Sequence, residues 1–133
     1  MRTAQVFDAS ALLPLITNRP DQRSAVEAAF GVDIVVPHIA DAEVLSSLRG
    51  LWLSGQIDGR IVVEAAAELE AMPMPRFGMR GLHQRVLQLR HNLTTYDATY
   101  VALAEALELE LVTYDRAMAE APGIACDVIL LDG

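Results

Sequence analysis

LTTYDATYVALAEALELELVTYDRAMAE (residues 93–120) carries the tripeptide Thr-Tyr-Asp twice, at 95–97 and at 113–115. Between the two copies, the alanine-rich segment 97–107 has the spacing of a helix, and 109–114 has the β-branched and aromatic content of a strand. Nothing else in the chain echoes the tripeptide, so a duplicated repeat unit is not indicated. The stretch therefore predicts one helix-strand pair with an aspartate at each end.

Strand and helix patterns alternate through the rest of the chain. Strands are expected at 3–8, 33–37 and 127–131, and the periodic apolar residues of 39–53 predict a helix in which Trp52 is part of the core. Short connections between alternating strands and helices favour a mostly parallel sheet with helices on both faces. We therefore expect a three-layer α/β/α fold with a four- to five-stranded sheet.

Polar residues are expected to cap several helices. Ser10 is a candidate cap for the helix after the first strand, Asp21 for a helix within 21–31, and Asp58 for the helix that follows it. The segment Met-Pro-Met-Pro-Arg at 72–76 should end that last helix, because proline interrupts the backbone hydrogen bonds. Helical spacing then resumes with Leu82, Val86 and Leu89.

The composition bounds the class of protein. A chain of 133 residues that is 53% apolar can bury a core, and we expect a single domain over residues 1–133. No run approaches the ~18 apolar residues of a membrane span and no signal-peptide pattern is visible, so we expect a soluble, cytoplasmic protein without membrane contact. The one cysteine, Cys126, cannot form an internal disulfide.

The charged residues exclude several functions. All ten basic residues are arginine, and the absence of lysine excludes a P-loop and Schiff-base chemistry. The net charge of -8 argues against a protein that coats nucleic acid by simple attraction. Any nucleic-acid partner must therefore be held locally.

Four acidic residues are expected at one edge of the sheet. Asp8 and Asp115 follow strands, whereas Glu43 and Asp97 lie in the first turns of helices. The carboxyl ends of parallel strands and the amino ends of the next helices meet at the same edge. Two carboxylates ~4 Å apart repel by about 4 kcal/mol near a protein surface, and a divalent cation would remove this repulsion. Oxygen-only ligands favour Mg²⁺ or Mn²⁺, which could activate water for phosphodiester hydrolysis.

The acids also have structural interpretations, which stay open here. Asp97 and Thr94 form the pattern Thr-x-x-Asp of a capping box, and Asp115 could cap the turn that follows it. Asp41 shares a first turn with Glu43 but points to a different face, so we expect it to stabilise the helix dipole rather than bind metal. Asp8 has the strongest functional claim, because a carboxylate directly after a buried strand has little structural purpose.

Four segments in order resemble the PIN-domain ribonucleases and, within them, the VapC toxins of toxin-antitoxin pairs: VFDASALL (6–13), ADAEVLSSL (40–48), LTTYDATYVALAEAL (93–107) and LVTYDRAM (111–118). The resemblance covers essentially the whole chain. It implies a PIN-like, Rossmann-like fold and an Mg²⁺- or Mn²⁺-dependent endoribonuclease. The catalytic, metal-binding quartet it implies is Asp8, Glu43, Asp97 and Asp115, with Ser10 and Thr113 orienting a ligand or water near the metal.

The same resemblance implies the partners. Family members cleave transfer RNA or ribosomal RNA loops, and a small VapB-type antitoxin blocks the site with its tail. An arginine of that tail would suit an acidic pocket, because a guanidinium pairs with carboxylates through two hydrogen bonds. A homodimer is also expected.

One segment of the chain is basic. Residues 72–96 contain no acid and carry Arg76, Arg80, Arg85 and Arg90. These arginines either form an ordinary solvated helix face, with their stems on apolar surface, or bind RNA phosphates beside the acidic edge. We predict the second role for all four.

Two other functions were weighed. A haloacid-dehalogenase-like phosphatase would need a second aspartate two residues after Asp8, where Ser10 stands, and a lysine, which the chain lacks. The alternative to a nuclease is a non-catalytic acidic PIN-like module that docks a basic peptide at the same edge.

Overall fold

Strands and helices alternate along the computed structural model, which describes residues 3–18 and 22–133. The described elements, in chain order, are β1 (Thr3–Phe7), α1 (Ala9–Thr17), α2 (Arg23–Ala29), β2 (Val32–Pro37), α3 (Ile39–Leu53), α4 (Gly59–Ala71), β3 (Arg76–Phe77), α5 (His83–Gln88), α6 (Thr95–Leu107), β4 (Leu111–Thr113), α7 (Arg116–Ala119) and β5 (Val128–Leu130).

The five strands form one parallel sheet in the order β3-β2-β1-β4-β5. The predicted α/β class is confirmed, and the sheet is all parallel rather than mostly parallel. Apolar runs in β1, β2 and β4 are buried, as expected for strands that are covered on both faces. The register pairs Phe7 with Val112, so Asp8 and Thr113 follow at neighbouring strand ends.

The helices pack as two groups around this sheet. Helix α1 contacts α2, α3 and α4, whereas α5 contacts α6, which itself lies against β1, β2 and β4. Residues Ala98–Ala104 of α6 are all buried, and this segment packs against three strands of the sheet. No helix within the described residues is long and apolar enough to span a bilayer.

Two strand predictions differ from the structure. Residues 72–76 were expected only to break a helix, but Arg76 and Phe77 form β3 by pairing with the last two residues of β2. The strand expected at 109–114 is limited to Leu111–Thr113. The Leu109 N–H completes the end of α6 instead, because it donates to the Ala104 carbonyl at 2.9 Å.

The capping predictions had mixed outcomes. Asp58 caps α4 as expected, since its carboxylate accepts from the Ile61 N–H at 2.9 Å. Ser10 does not cap α1; Asp8 does, and it accepts from the Ala11 N–H at 3.1 Å. The prediction for Asp21 lies outside the described residues. Trp52 is 50% exposed rather than core, because the last turn of α3 extends beyond the packed interior.

A buried leucine and an exposed one on α3 give a direct test of the core. Leu48 is fully buried and Leu53 is 58% exposed. We expect Leu48→Ala to lower the free energy of unfolding by about 2–5 kcal/mol, because it leaves a cavity, and Leu53→Ala to change it by about 0.5 kcal/mol or less. Urea denaturation measures both, and equal losses would contradict this packing.

Candidate active site

The Asp8 carboxylate is the most buried acid at the carboxyl edge of the sheet, with 4% of the residue exposed. Its Oδ1 accepts from the Ser10 hydroxyl at 2.6 Å and from the Ala11 N–H at 3.1 Å, and its Oδ2 accepts from the Thr113 hydroxyl at 2.5 Å. Asp8 therefore both caps α1 and ties the end of β1 to the end of β4. The expectation that it lacks a structural purpose was wrong.

Ser10 and Thr113 extend these hydrogen bonds to the turn after β4. The Ser10 oxygen accepts from the Tyr114 N–H at 3.0 Å, and the Thr113 hydroxyl oxygen accepts from the Asp115 N–H at 2.9 Å. The two hydroxyl oxygens are 3.4 Å apart. Both predicted supporting residues thus contact the Asp8 carboxylate directly and also fix the backbone that leads to Asp115.

The other three acids are placed by helix ends, as the sequence predicts. Asp115 is the N-cap of α7 and accepts from the Met118 N–H at 3.2 Å. Asp97 lies in the first turn of α6, where its N–H donates to the Thr94 hydroxyl at 3.1 Å. Glu43 lies on α3, one turn after β2. Capping at Thr94 and Asp115 is therefore real, and it sets the positions of Asp97 and Asp115 at the starts of α6 and α7.

The four carboxylates influence one another electrostatically. Burial raises the pKa of Asp8 to about 6, and the Asp97 charge adds to this increase while the hydrogen bonds oppose it. Burial also raises the pKa of Glu43, again with a contribution from Asp97. The pKa of Asp97 is raised by its burial and by the charge of Asp115. Asp97 is thus the acid that couples to each of the other three.

The acids share one edge without converging on one point. Among residues 3–18 and 22–133, no three side chains of His, Cys, Asp or Glu are grouped at the spacing of ligands around one metal ion. Repulsion between carboxylates explains such spacing. The available donors are all oxygen atoms with excess negative charge, which fits a hard cation such as Mg²⁺ or Mn²⁺ and not zinc.

Tyr100 is a residue near this site that the sequence analysis missed. Its hydroxyl is buried and makes no hydrogen bond of ordinary geometry with the residues that the structure describes. It is nevertheless close enough to Glu43 to oppose the increase that burial causes in the pKa of that carboxyl. The pKa of Tyr100 is also raised, mainly by burial and to a smaller extent by the nearby Glu43. The available signal was its position three residues after Asp97, on the same face of α6.

Arg76 is not directed toward the acidic edge. Its Nε and one terminal nitrogen donate to both oxygens of Asp41, at 2.7 and 3.1 Å. The remaining contacts are with the carbonyls of Leu69, Met72 and Met74. All of its donor groups are therefore used within the protein. Asp41 pairs with this arginine, and its charge is neutralised there rather than only interacting with the helix dipole.

The other three predicted RNA-binding arginines differ from one another. Arg85 donates to both oxygens of Glu105, at 2.6 and 3.0 Å, and to the Gly123 carbonyl, so it joins α5 to α6 and to the following loop. Arg90 donates one hydrogen bond to the Leu87 carbonyl. Arg80 makes no hydrogen bond or ion pair with the described residues, and it lies in the loop after β3, on the same edge as the acids.

Comparison with known proteins identifies the family and the fold. The PIN domain family model matches residues 6–124. The chain is 36% identical over 129 residues to ribonuclease VapC9 of Mycobacterium tuberculosis, which covers 95% of this chain and 97% of VapC9. The chain therefore belongs to the PIN-domain family, and its curated relatives within it are VapC ribonucleases.

Solved structures agree on the fold. A toxin-antitoxin complex from Klebsiella pneumoniae superimposes with a TM-score of 0.65 at 23% identity, covering 94% of this chain and 95% of that one. Mycobacterium tuberculosis VapC20, described as a sarcin-ricin loop cleaving toxin, gives a TM-score of 0.64 at 17% identity, covering 87% and 92%. The predicted PIN-like fold and family are both confirmed.

The raised pKa of Asp8 should make the metal-free protein more stable in mild acid. The folded state holds this proton more tightly, since the pKa is about 6 against an ordinary 3.8. The resulting stabilisation of the folded state is full below pH 3.8 and is lost as the pH rises through the folded-state pKa of about 6. It amounts to about 3 kcal/mol. We expect the Tm in the presence of a chelator to fall between about pH 4 and pH 7.

Asp8→Asn should make the fall of the Tm with rising pH less steep. It should not remove this fall, because the pKa values of Glu43 and Asp97 are also raised. Asp58→Asn is the matched control, since asparagine caps α4 about as well as aspartate. Scanning calorimetry across the pH range measures the slopes. The same slope in the parent and in Asp8→Asn would contradict the assignment.

Proposed function

We propose that this protein is a metal-dependent endoribonuclease, the toxin component of a toxin-antitoxin pair, and that Asp8, Glu43, Asp97 and Asp115 bind the metal and act in catalysis. The observation that carries this proposal is the electrostatic coupling of four acids, from distant parts of the chain, at one edge of a PIN fold. The kinship with VapC ribonucleases supports the choice of RNA as substrate.

The roles of the residues follow from their surroundings. A bound Mg²⁺ or Mn²⁺ lowers the pKa of a coordinated water and neutralises charge on phosphoryl oxygens. Asp8 presents a carboxylate whose direction is set by Ser10 and Thr113. Asp97 and Asp115 lie at helix amino ends, where backbone N–H groups offset part of their repulsion.

RNA contact is proposed for Arg80 and Arg90 rather than for all four arginines of the basic segment. Arg76 and Arg85 use their donors on Asp41, Glu105 and backbone carbonyls. Breaking those pairs to reach a phosphate would leave carboxylates without partners. Arg80, which follows β3, is therefore the best-placed cation to bind a phosphate beside the acids.

We also propose a VapB-type antitoxin that covers the acidic edge. Four carboxylates at one edge, with the pKa raised for Asp8, Glu43 and Asp97, are a favourable site for a guanidinium, which could replace the metal there. The homodimer, the cytoplasmic location, the single-domain organisation and the transfer-RNA or ribosomal-RNA substrate stay predictions from the sequence and its resemblance.

Replacement of single acids tests the proposed activity. In purified protein free of any partner, supplied with RNA and Mn²⁺ or Mg²⁺, Asp8→Asn, Asp97→Asn and Asp115→Asn should each reduce cleavage about a hundredfold or more, because a metal ligand is lost. Asp58→Asn, which changes the N-cap of α4 after the end of α3 that is distant from Glu43, should cleave like the parent. Gel electrophoresis of labelled RNA measures the rates.

Two results would contradict the proposal. Equal cleavage by the parent and the three variants would assign the activity to a contaminant. No cleavage by any of them, together with tight binding of an arginine-containing peptide, would favour the non-catalytic docking module.

Arginine replacements test the RNA contact separately. Arg80→Gln should weaken RNA binding and reduce the slope of log affinity against log salt by about 1, because one phosphate contact is lost. Arg60→Gln is the matched control, since Arg60 is 85% exposed at the start of α4, away from the acids. Fluorescence anisotropy over a salt series measures both slopes. Equal slopes for the parent and Arg80→Gln would remove Arg80 from the binding surface.

A further inference from the structure

The two Thr-Tyr-Asp copies place their tyrosines in opposite environments. Tyr96 is 59% exposed at the start of α6. The Tyr114 hydroxyl, in contrast, donates to the Gln22 carbonyl at 3.0 Å, accepts from the Ala25 N–H at 3.0 Å and lies 2.8 Å from the Ser24 hydroxyl. Only Tyr114 is thus anchored by its side chain.

Tyr114 supplies a cap to α2 that no residue at the N-cap position provides within the described part of the chain. Gln22 stands at the N-cap position and makes no side-chain hydrogen bond to the first turn. The Ala25 N–H is one of the first-turn donors that has no partner inside the helix, and the Tyr114 oxygen accepts from it across 89 residues of chain. The start of α2 and the turn after β4 are thereby held together.

The protons around this hydroxyl are shared. Tyr114 and Ser24 together have two hydroxyl protons, but three contacts each need a proton. These contacts are Tyr114 with the Gln22 carbonyl, Ser24 with the Asp132 carbonyl, and the two hydroxyls with each other. Only two of these contacts hold a proton at one time. The bond from Ala25 is independent of this choice, because the phenolic oxygen accepts it. Tyr114 thus contacts the first turn of α2 directly, and Ser24 of that turn makes the contact with the segment after β5.

The backbone of Tyr114 belongs to the acidic site. Its N–H donates to the Ser10 oxygen at 3.0 Å, and the Ser10 hydroxyl donates to Asp8. The preceding residue, Thr113, donates to the other oxygen of Asp8, and the following residue is Asp115. A displacement of Tyr114 would therefore move the groups that hold Asp8 and Asp115 in position.

The sheet itself does not fix this turn. Strand β4 ends at Thr113, and its pairing with β5 ends at Leu130. Beyond this point the chain has left the ladder, so the direction of Asp115 depends on contacts made by the turn. The Tyr114 side chain provides the contact of this turn with α2.

We propose that Tyr114 is a positioning residue for the acidic site, whose hydroxyl, held by the first turn of α2, fixes the turn that carries Thr113 and Asp115. This inference deepens the proposed function and rests on it for the nature of the site. It assigns no contact between Tyr114 and metal or RNA.

Tyr114→Phe tests the inference, because it removes the hydroxyl and keeps the ring. Tyr96→Phe, in the other Thr-Tyr-Asp copy, is the matched control. Electron paramagnetic resonance with Mn²⁺ alone measures metal binding without depending on activity, and RNA cleavage gives kcat and KM. We expect Tyr114→Phe to weaken Mn²⁺ binding and to lower kcat by about tenfold each, with KM for RNA unchanged. Tyr96→Phe should bind Mn²⁺ like the parent.

The outcomes separate this inference from the proposed function. If the parent protein binds Mn²⁺ but cleaves no RNA, the proposed nuclease activity is wrong. The Mn²⁺ affinities of the two tyrosine variants then still decide the role of Tyr114. A Tyr114→Phe protein with a lower Tm but parental Mn²⁺ affinity and kcat has lost only a structural bond, which overturns the inference. A parent that binds no Mn²⁺ overturns it as well.

Ser24→Ala covers the case in which Tyr114→Phe does not fold. This change removes the Ser24 contacts with the phenolic oxygen and with the Asp132 carbonyl, and it leaves the contacts of Tyr114 with Gln22 and Ala25. We expect Mn²⁺ binding about threefold weaker than in the parent, a smaller effect than that of losing the hydroxyl. Parental affinity in folded Ser24→Ala would then overturn the inference.

Discussion

The Asp8 carboxylate accepts hydrogen bonds from Ser10, Ala11 and Thr113 while it is almost completely buried. A buried carboxylate without donors would be strongly destabilising, so these bonds are a condition for placing an acid at the end of the central strand. They also connect two strands and the helices that follow them. The rest of the acidic site depends on this connection, because Thr113 and Ser10 lead directly to the backbone of the Asp115 turn.

The site holds its acids against electrostatic repulsion. Asp97 contributes to the raised pKa of both Asp8 and Glu43, and Asp115 contributes to that of Asp97. The arrangement therefore lowers stability at neutral pH unless a cation or a proton compensates. Functional sites commonly have this cost. A metal ion and a guanidinium would relieve the same repulsion, which gives one physical reason for both of the occupants proposed for this edge.

The arginines of the basic segment show that the fold gives side chains of the same charge different partners. The basic segment 72–96 has one composition, but its members have different roles. Arg76 joins α3 to the segment around β3 through Asp41, and Arg85 joins α5 to α6 through Glu105. Arg80 is left without such a partner among the described residues. A guanidinium whose carboxylate partner is twenty or more residues away cannot be recognised by local pattern, because the pairing depends on which helices pack together.

The sequence by itself determined the alternating elements, the parallel sheet and the edge where the acids meet. These features follow from periodicity, from caps such as Asp58, and from the rule that strand ends and helix starts share one edge. Only the tertiary structure decided that Asp8 caps α1, that Arg76 and Arg85 are used internally, and that Tyr114 caps α2. Each of these is a hydrogen bond whose partner is chosen by geometry, since several donors of suitable chemistry compete for every acceptor and the sequence gives no distances between them.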